Sequence, residues 1–173
     1  MPVLVRHPDT PPGAIDWVEA ELVRTDDGAT ATFRARGDPD RLVVPPPAAP
    51  VHTDGLWKTT CFELFVTAGE GGYQEYNFAP SGAWAAYDFD GYRDGMRPAN
   101  VGVTVETQRE ANGLTLRAKI KGDLPLPANV GLTAVIEETD GQLRYWATGF
   151  APGKPDFHAA AVRSLLFDGV SAE

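Results

Sequence analysis

Between Asp54 and Arg93 the chain concentrates the side chains that could do chemistry. Two of the four Trp, four of the five Tyr and the single Cys lie there, with Glu63, Glu75 and Asn77 among them. Carboxyl and amide groups interleaved with flat rings suit a ligand rich in hydroxyls. The polar groups exchange hydrogen bonds with it, and the rings stack on the apolar faces of a pyranose. Trp57 and Trp84 are the candidate stacking rings, Glu63 and Asn77 the candidate hydrogen-bonding groups, and Lys58 and Arg93 the candidate positive donors. The plainer alternative is a solvated sheet face on which Glu63 or Glu75 pairs with Lys58 or Arg93. Glu63 and Glu75 are also the minimum equipment of a glycoside hydrolase, whose chemistry depends on a carboxyl separation that spacing in sequence does not supply.

Other chemistries find less support. His7, His52 and His158 have neither HxxxH nor HExxH spacing, so a zinc centre is not indicated. Cys61 sits in a strand-like segment without an adjacent His, which fits burial better than nucleophilic duty. Ser81 lies in Pro80-Ser81-Gly82, a turn and not a nucleophile elbow. No glycine-rich phosphate loop leads into a helix. Met96 with His52 or His158 would make a Met/His axial pair for haem, an alternative resting on one Met in a Gly-Met-Arg-Pro loop.

These groups need strands to position them. Nine segments alternate or run apolar between turn residues: 15–24, 29–36, 61–68, 73–79, 84–89, 101–108, 114–120, 130–138 and 143–148. Asp26-Asp27-Gly28, Asn112-Gly113 and Asp140-Gly141 mark hairpins. Leu42 to Val44 reads as a short apolar continuation, Pro45 to Pro50 as an extended crossover between sheets, and His158 to Leu166 as a turn or short helix. The expected fold is all-β, a two-sheet antiparallel, jelly-roll-like β-sandwich in one domain spanning residues 1–173.

Period-two geometry then assigns faces. Phe62, Leu64 and Val66 form one apolar row, with Cys61, Glu63 and Phe65 opposite. Tyr76 and Phe78 point to the core, with Tyr73, Glu75 and Asn77 opposite. If the two segments pair, Glu63, Glu75 and Asn77 gather on one face. Trp84 and Tyr87, three apart, must face opposite sides of their strand.

A formal charge of -9, from 15 Lys+Arg against 24 Asp+Glu, repels phosphate backbones, so nucleic acid and anionic membranes are not expected partners. No stretch approaches the roughly 20 apolar residues of a membrane span. The start, MPVLVRHPDTPPG, lacks the apolar centre of a secretory signal, and a lone Cys makes no internal disulfide. The expected location is cytoplasmic.

Three blocks carry a family resemblance: LWKTTCFELFV, YQEYNFAPSGAWAAYDFDGYRDGM and YWATGFAPGKPDFH. Together they resemble DOMON-like proteins related to family 9 carbohydrate-binding modules, in a small bacterial branch, from about Asp54 to Phe167. The resemblance implies a sandwich without a catalytic centre that binds sugar ends between aromatic rings, or haem. Glu63 matches the acidic strand position, and Asn77, Pro80 and Gly82 match the second strand and its turn. Trp57, Trp84 and Trp146 are candidates for the paired stacking rings and not matches. Metal sites in some relatives imply calcium through Glu63 or Asp54, although no dense oxygen-ligand loop is present. The reading that follows is non-catalytic binding of a carbohydrate or similar small polar ligand, with no cofactor. A structural or protein-interaction module is the second reading.

Overall fold

Alternating side chains can bury one face of a strand only if a second sheet covers it, and the computed structural model, which describes residues 1–168, has that arrangement. Twelve strands follow in chain order: β1 (Val5–Arg6), β2 (Ile15–Thr25), β3 (Gly28–Gly37), β4 (Cys61–Ala68), β5 (Gly72–Phe78), β6 (Trp84–Phe89), β7 (Arg97–Pro98), β8 (Gly102–Glu110), β9 (Gly113–Lys121), β10 (Ala128–Glu137), β11 (Leu143–Ala147) and β12 (Leu165–Phe167). The smaller sheet runs β2-β3-β9-β8. The larger runs β1-β11-β10-β4-β5-β6-β7, with β12 also paired to β10. Every pairing between these strands is antiparallel. The protein is an all-β sandwich, as expected.

The inter-sheet core contains Phe62, Leu64 and Val66 of β4, Tyr76 and Phe78 of β5, and alternate residues of β10 from Val130 to Ile136. Phe33 of the smaller sheet meets Phe62 and Phe78 at centroid distances of 5.2 and 6.2 Å. A second apolar cluster forms on the other face of the larger sheet. There Phe65, Tyr73, Phe89 and Val135 pack against Phe157 and Val162, which arrive from the segment after β11. The larger sheet is therefore covered on both sides, which is why β4 reads as an almost unbroken apolar run.

Of the turn or short helix expected at 158–166, this covering strap keeps a single turn at its centre and ends in a strand. Only Ala160–Val162 forms a 3-10 turn, and Leu165–Phe167 pairs as β12 with Ala128 to Val130. The strand wins because β10 offers an open edge there, and three residues of helix bury too little. Leu42 makes only an isolated bridge to Glu138, so the expected continuation at 42–44 is not a strand. The two-residue strands β1 and β7 had no periodicity to announce them. No helix among the described residues is long and apolar enough to cross a membrane.

The strap lies so close to the sheet that Gly131 of β10 has no room for a side chain. A Cβ there would stand 2.7 Å from the Val162 carbonyl oxygen. Gly131→Ala is expected to push the strap outward and cost about 1–3 kcal/mol. Urea unfolding measures the cost, and increased amide exchange at 157–163 would locate it.

Candidate functional site

The outer face of the larger sheet carries a cleft of ≈ 780 Å³. Its floor is set by strand register. Glu63 pairs with Asn77 on one side and Thr133 on the other, while Phe65, Glu75 and Tyr87 form the neighbouring row across β4, β5 and β6. Period-two placement thus brings Glu63, Glu75 and Asn77 to one face, as the sequence implied, and all three line the cleft. All three are buried.

Three loops make the walls. Asp54 to Lys58 forms one, with Gly55 at φ 79° opening a 3-10 turn at Leu56–Lys58. Leu56 packs into the second apolar cluster and leaves Trp57 at the rim, 54% exposed, with Lys58 Nζ 5.8 Å above its ring. The strap from Pro155 to His158 forms the facing wall, and Arg93 and Met96 come from the loop after β6. Arg93 adopts a left-handed φ of 51°. Its Nη2 donates to Asp156 Oδ1 at 2.9 Å, and Tyr92 also donates to Asp156, which latches the two walls together.

Under this latch runs a directed chain of hydrogen bonds. The Arg93 backbone N–H donates to the Tyr73 hydroxyl at 3.1 Å, so the phenol proton is free for His158 Nδ1 at 2.7 Å. His158 Nδ1 is then the acceptor, and Nε2 carries the ring proton toward Glu75 Oε2, 3.8 Å away. Burial, aided by the Arg93 charge, lowers the His158 pKa to about 4, so the ring is neutral at pH 7.

The floor acids behave oppositely. Burial, and then the neighbouring Glu75 charge, pushes the Glu63 carboxyl well above the ordinary range, although Thr133 donates to it at 3.3 Å. Burial raises Glu75 to about 7, against a hydrogen bond from Asn77 and the attraction of Arg93. With its amide turned to suit its neighbours, Asn77 donates to Glu75 Oε1 and the Tyr76 carbonyl at 3.2 Å each. At the rim Tyr87 donates to Asp54, which holds that exposed carboxylate below its usual range.

Five of the six candidate residues share this cleft: Trp57, Lys58, Glu63, Asn77 and Arg93. Trp84 does not. Its side chain leans on the inter-sheet core, its Nε1 donates to the Pro50 carbonyl at 3.3 Å, and His52 meets its ring edge-on. The parity of β6 gives the cleft face to Tyr87 instead. Trp146, 4% exposed, is likewise part of the inter-sheet core. Met96 and His158 both line the cleft, whereas His52 does not. Cys61 is buried, and its thiol is pushed far up by that burial. Among the described residues no group of three or more His, Cys, Asp or Glu is arranged to hold a metal ion.

The aromatic walls from Tyr145 and Phe157 were not foreseen. The only available signal was the apolar parity of the 143–147 segment, which does not say what lies above it.

No family model matches the chain, and no curated protein matches it. Among solved structures, one from Bacteroides uniformis, described as a "putative carbohydrate-binding protein", superposes with a TM-score of 0.57 at 13% identity, covering 84% of this chain and 75% of that one. At that identity the likeness speaks to the shared sandwich fold.

Proposed function

We propose that the outer cleft of the larger sheet binds a carbohydrate or a similar small polar ligand without transforming it, in keeping with the resemblance to DOMON-like and family 9 carbohydrate-binding modules. The observation that carries this reading is the meeting, in one concave site, of an exposed ring at the rim with a buried acid–amide floor. Trp57 stacks on the ligand, Glu63 and Asn77 exchange hydrogen bonds with it, and Lys58 and Arg93 supply positive donors at the rim. The description of the Bacteroides uniformis neighbour lends support.

A calorimetric screen of glycans and small metabolites tests the proposal. Trp57→Ala is expected to weaken the best ligand roughly tenfold. Trp84→Ala should lower stability and leave affinity unchanged, since that ring faces the other way. Equal affinity in wild type and Trp57→Ala would remove Trp57 from the site, and loss of binding in Trp84→Ala without loss of fold would place the ligand elsewhere.

A hydrolytic reading draws on the same floor, because two carboxyls with raised pKa values share one cleft. Turnover of nitrophenyl glycosides by wild type, absent in Glu63→Gln and Glu75→Gln, would favour it over binding alone.

A further inference from the structure

The floor of the cleft holds two buried acids and no matching cation. Glu63 is 2% exposed, and its one hydrogen bond is accepted from Thr133. Glu75, 6% exposed, accepts from Asn77 and faces His158, which is neutral. Among the described residues no lysine or arginine forms an ion pair with either acid. The nearby cations are committed elsewhere. Arg93 is held by Asp156, Arg163 lies on the Tyr73 ring and donates to Thr67, and Lys58 stands at the rim over Trp57. From the packed elements the other ionisable groups facing the pair are Cys61 on β4, Tyr73 on β5, Tyr87 on β6 and Asp54 in the wall. All of these are neutral or negative.

Buried charge is normally paired, and two acids side by side repel each other once both ionise. A neutral hydroxyl would satisfy one oxygen and leave the acids to escape that repulsion by holding protons. An ammonium group would relieve both. The aromatic rings beside the acids add to this, because a cation is attracted to a ring face and its carbon frame is covered by the same rings. A chain of net charge -9 also raises the local concentration of cations.

We propose that the ligand of this cleft carries a protonated amine, received between Glu63 and Glu75, with Tyr87 and Trp57 covering the carbon frame that bears it. The inference rests on the binding role proposed for the cleft and narrows its ligand to an amino sugar or another small hydroxylated amine.

Two measurements on the full chain test it. Carbon-detected NMR follows the side-chain carboxyls of Glu63 and Glu75 through a pH titration, with and without tens of millimolar D-glucosamine, and with D-glucose and N-acetylglucosamine in parallel. Calorimetry near pH 7 in buffers of different ionisation enthalpy then counts protons. The expected result is that glucosamine alone shifts the titration of the pair downward and binds roughly 10- to 100-fold tighter than the two neutral sugars, with net proton release. Glu63→Gln and Glu75→Gln, near-isosteric and still folded by circular dichroism, should each reduce the release, and the double substitution should abolish it. Equal binding of all three sugars without proton release overturns the amine assignment and leaves the carbohydrate site standing. Carboxyl titrations that none of the three sugars moves overturn the amine assignment together with the floor's role in binding.

Discussion

Arg144→Ala is expected to cost about 3–5 kcal/mol. The Arg144 side chain is 5% exposed and Glu138 is fully buried. Nη1 lies 3.1 Å from Glu138 Oε2, a Coulombic contact without hydrogen-bond alignment, and that buried oxygen accepts no hydrogen bond among the described residues. The rest of the guanidinium is used in full. Nε donates to the Pro11 carbonyl at 3.0 Å, Nη2 to the Pro12 carbonyl at 3.2 Å, and both terminal nitrogens reach Asp140. Glu138 in turn accepts from the Ala14 backbone N–H. One arginine thus ties the segment before β2 to the β10–β11 hairpin.

Gly13 fits there only because it lacks a side chain; a Cβ would come within 2.1 Å of Glu138 Oε2. Truncating Arg144 strands a buried carboxylate and two proline carbonyls. At this chain length the loss corresponds to a fall in Tm of roughly 6–20 °C. Urea unfolding measures it directly, and Glu138→Gln added to Arg144→Ala should restore part of the loss. A cost under about 1 kcal/mol would mean that water or a neighbouring cation takes over the pairing.

Glu75→Gln should instead stabilise, and increasingly so toward alkaline pH. A carboxyl whose folded pKa is about 7, against an ordinary 4.5, binds more protons in the folded state. Its contribution is complete below pH 4.5 and is lost as pH rises through 7. Gln keeps the shape and never ionises, so by about pH 9 the variant gains on the order of 3 kcal/mol, and near pH 5 only about 1. His158 runs the other way: its lowered pKa gives stability that is present above 6.5 and lost as pH falls through about 4. Wild type is therefore squeezed from both sides, while Glu75→Gln keeps the acid limb and, on the alkaline side, only the part that the raised Glu63 contributes. Urea midpoints taken across that pH range decide the matter. Parallel curves for wild type and variant would show that Glu75 is not held in its neutral form.

Face parity made much of this legible in advance. Glu63, Asn77 and Glu75 could be put on one surface on the condition that the two segments pair, and β4 and β5, short, regular and adjacent in sequence, do pair. The same parity sets Trp84 against Tyr87, yet it does not say which of the two faces the cleft, so sequence alone leaves Trp84 among the candidate stacking rings. Choosing needed to know that the other face of β6 meets the smaller sheet, a fact of tertiary packing. The strap from residue 148 to 164 was the larger gap. It has no period of its own, and its course is fixed by distant partners: His7 Nε2 meets the Gly153 carbonyl at 2.8 Å, Phe157 packs on Phe65 and Tyr145, and Val162 lies over Gly131. Arg144 gave no sign of itself, since a lone arginine in a strand ordinarily points to solvent.

That strap leaves and rejoins the sheet along a single edge. β11 and β12 occupy successive halves of the same side of β10, and the Thr148 hydroxyl closes the neck, accepting from the Leu132 N–H at 3.3 Å and donating to the Val162 carbonyl at 2.7 Å. The residues between those anchors belong to no strand, so the rungs that β10 shares with β11 and β12 do not depend on them. Variation within that excursion would then remodel the wall carrying Asp156, Phe157 and His158, while the floor on β4, β5 and β6 is inherited intact.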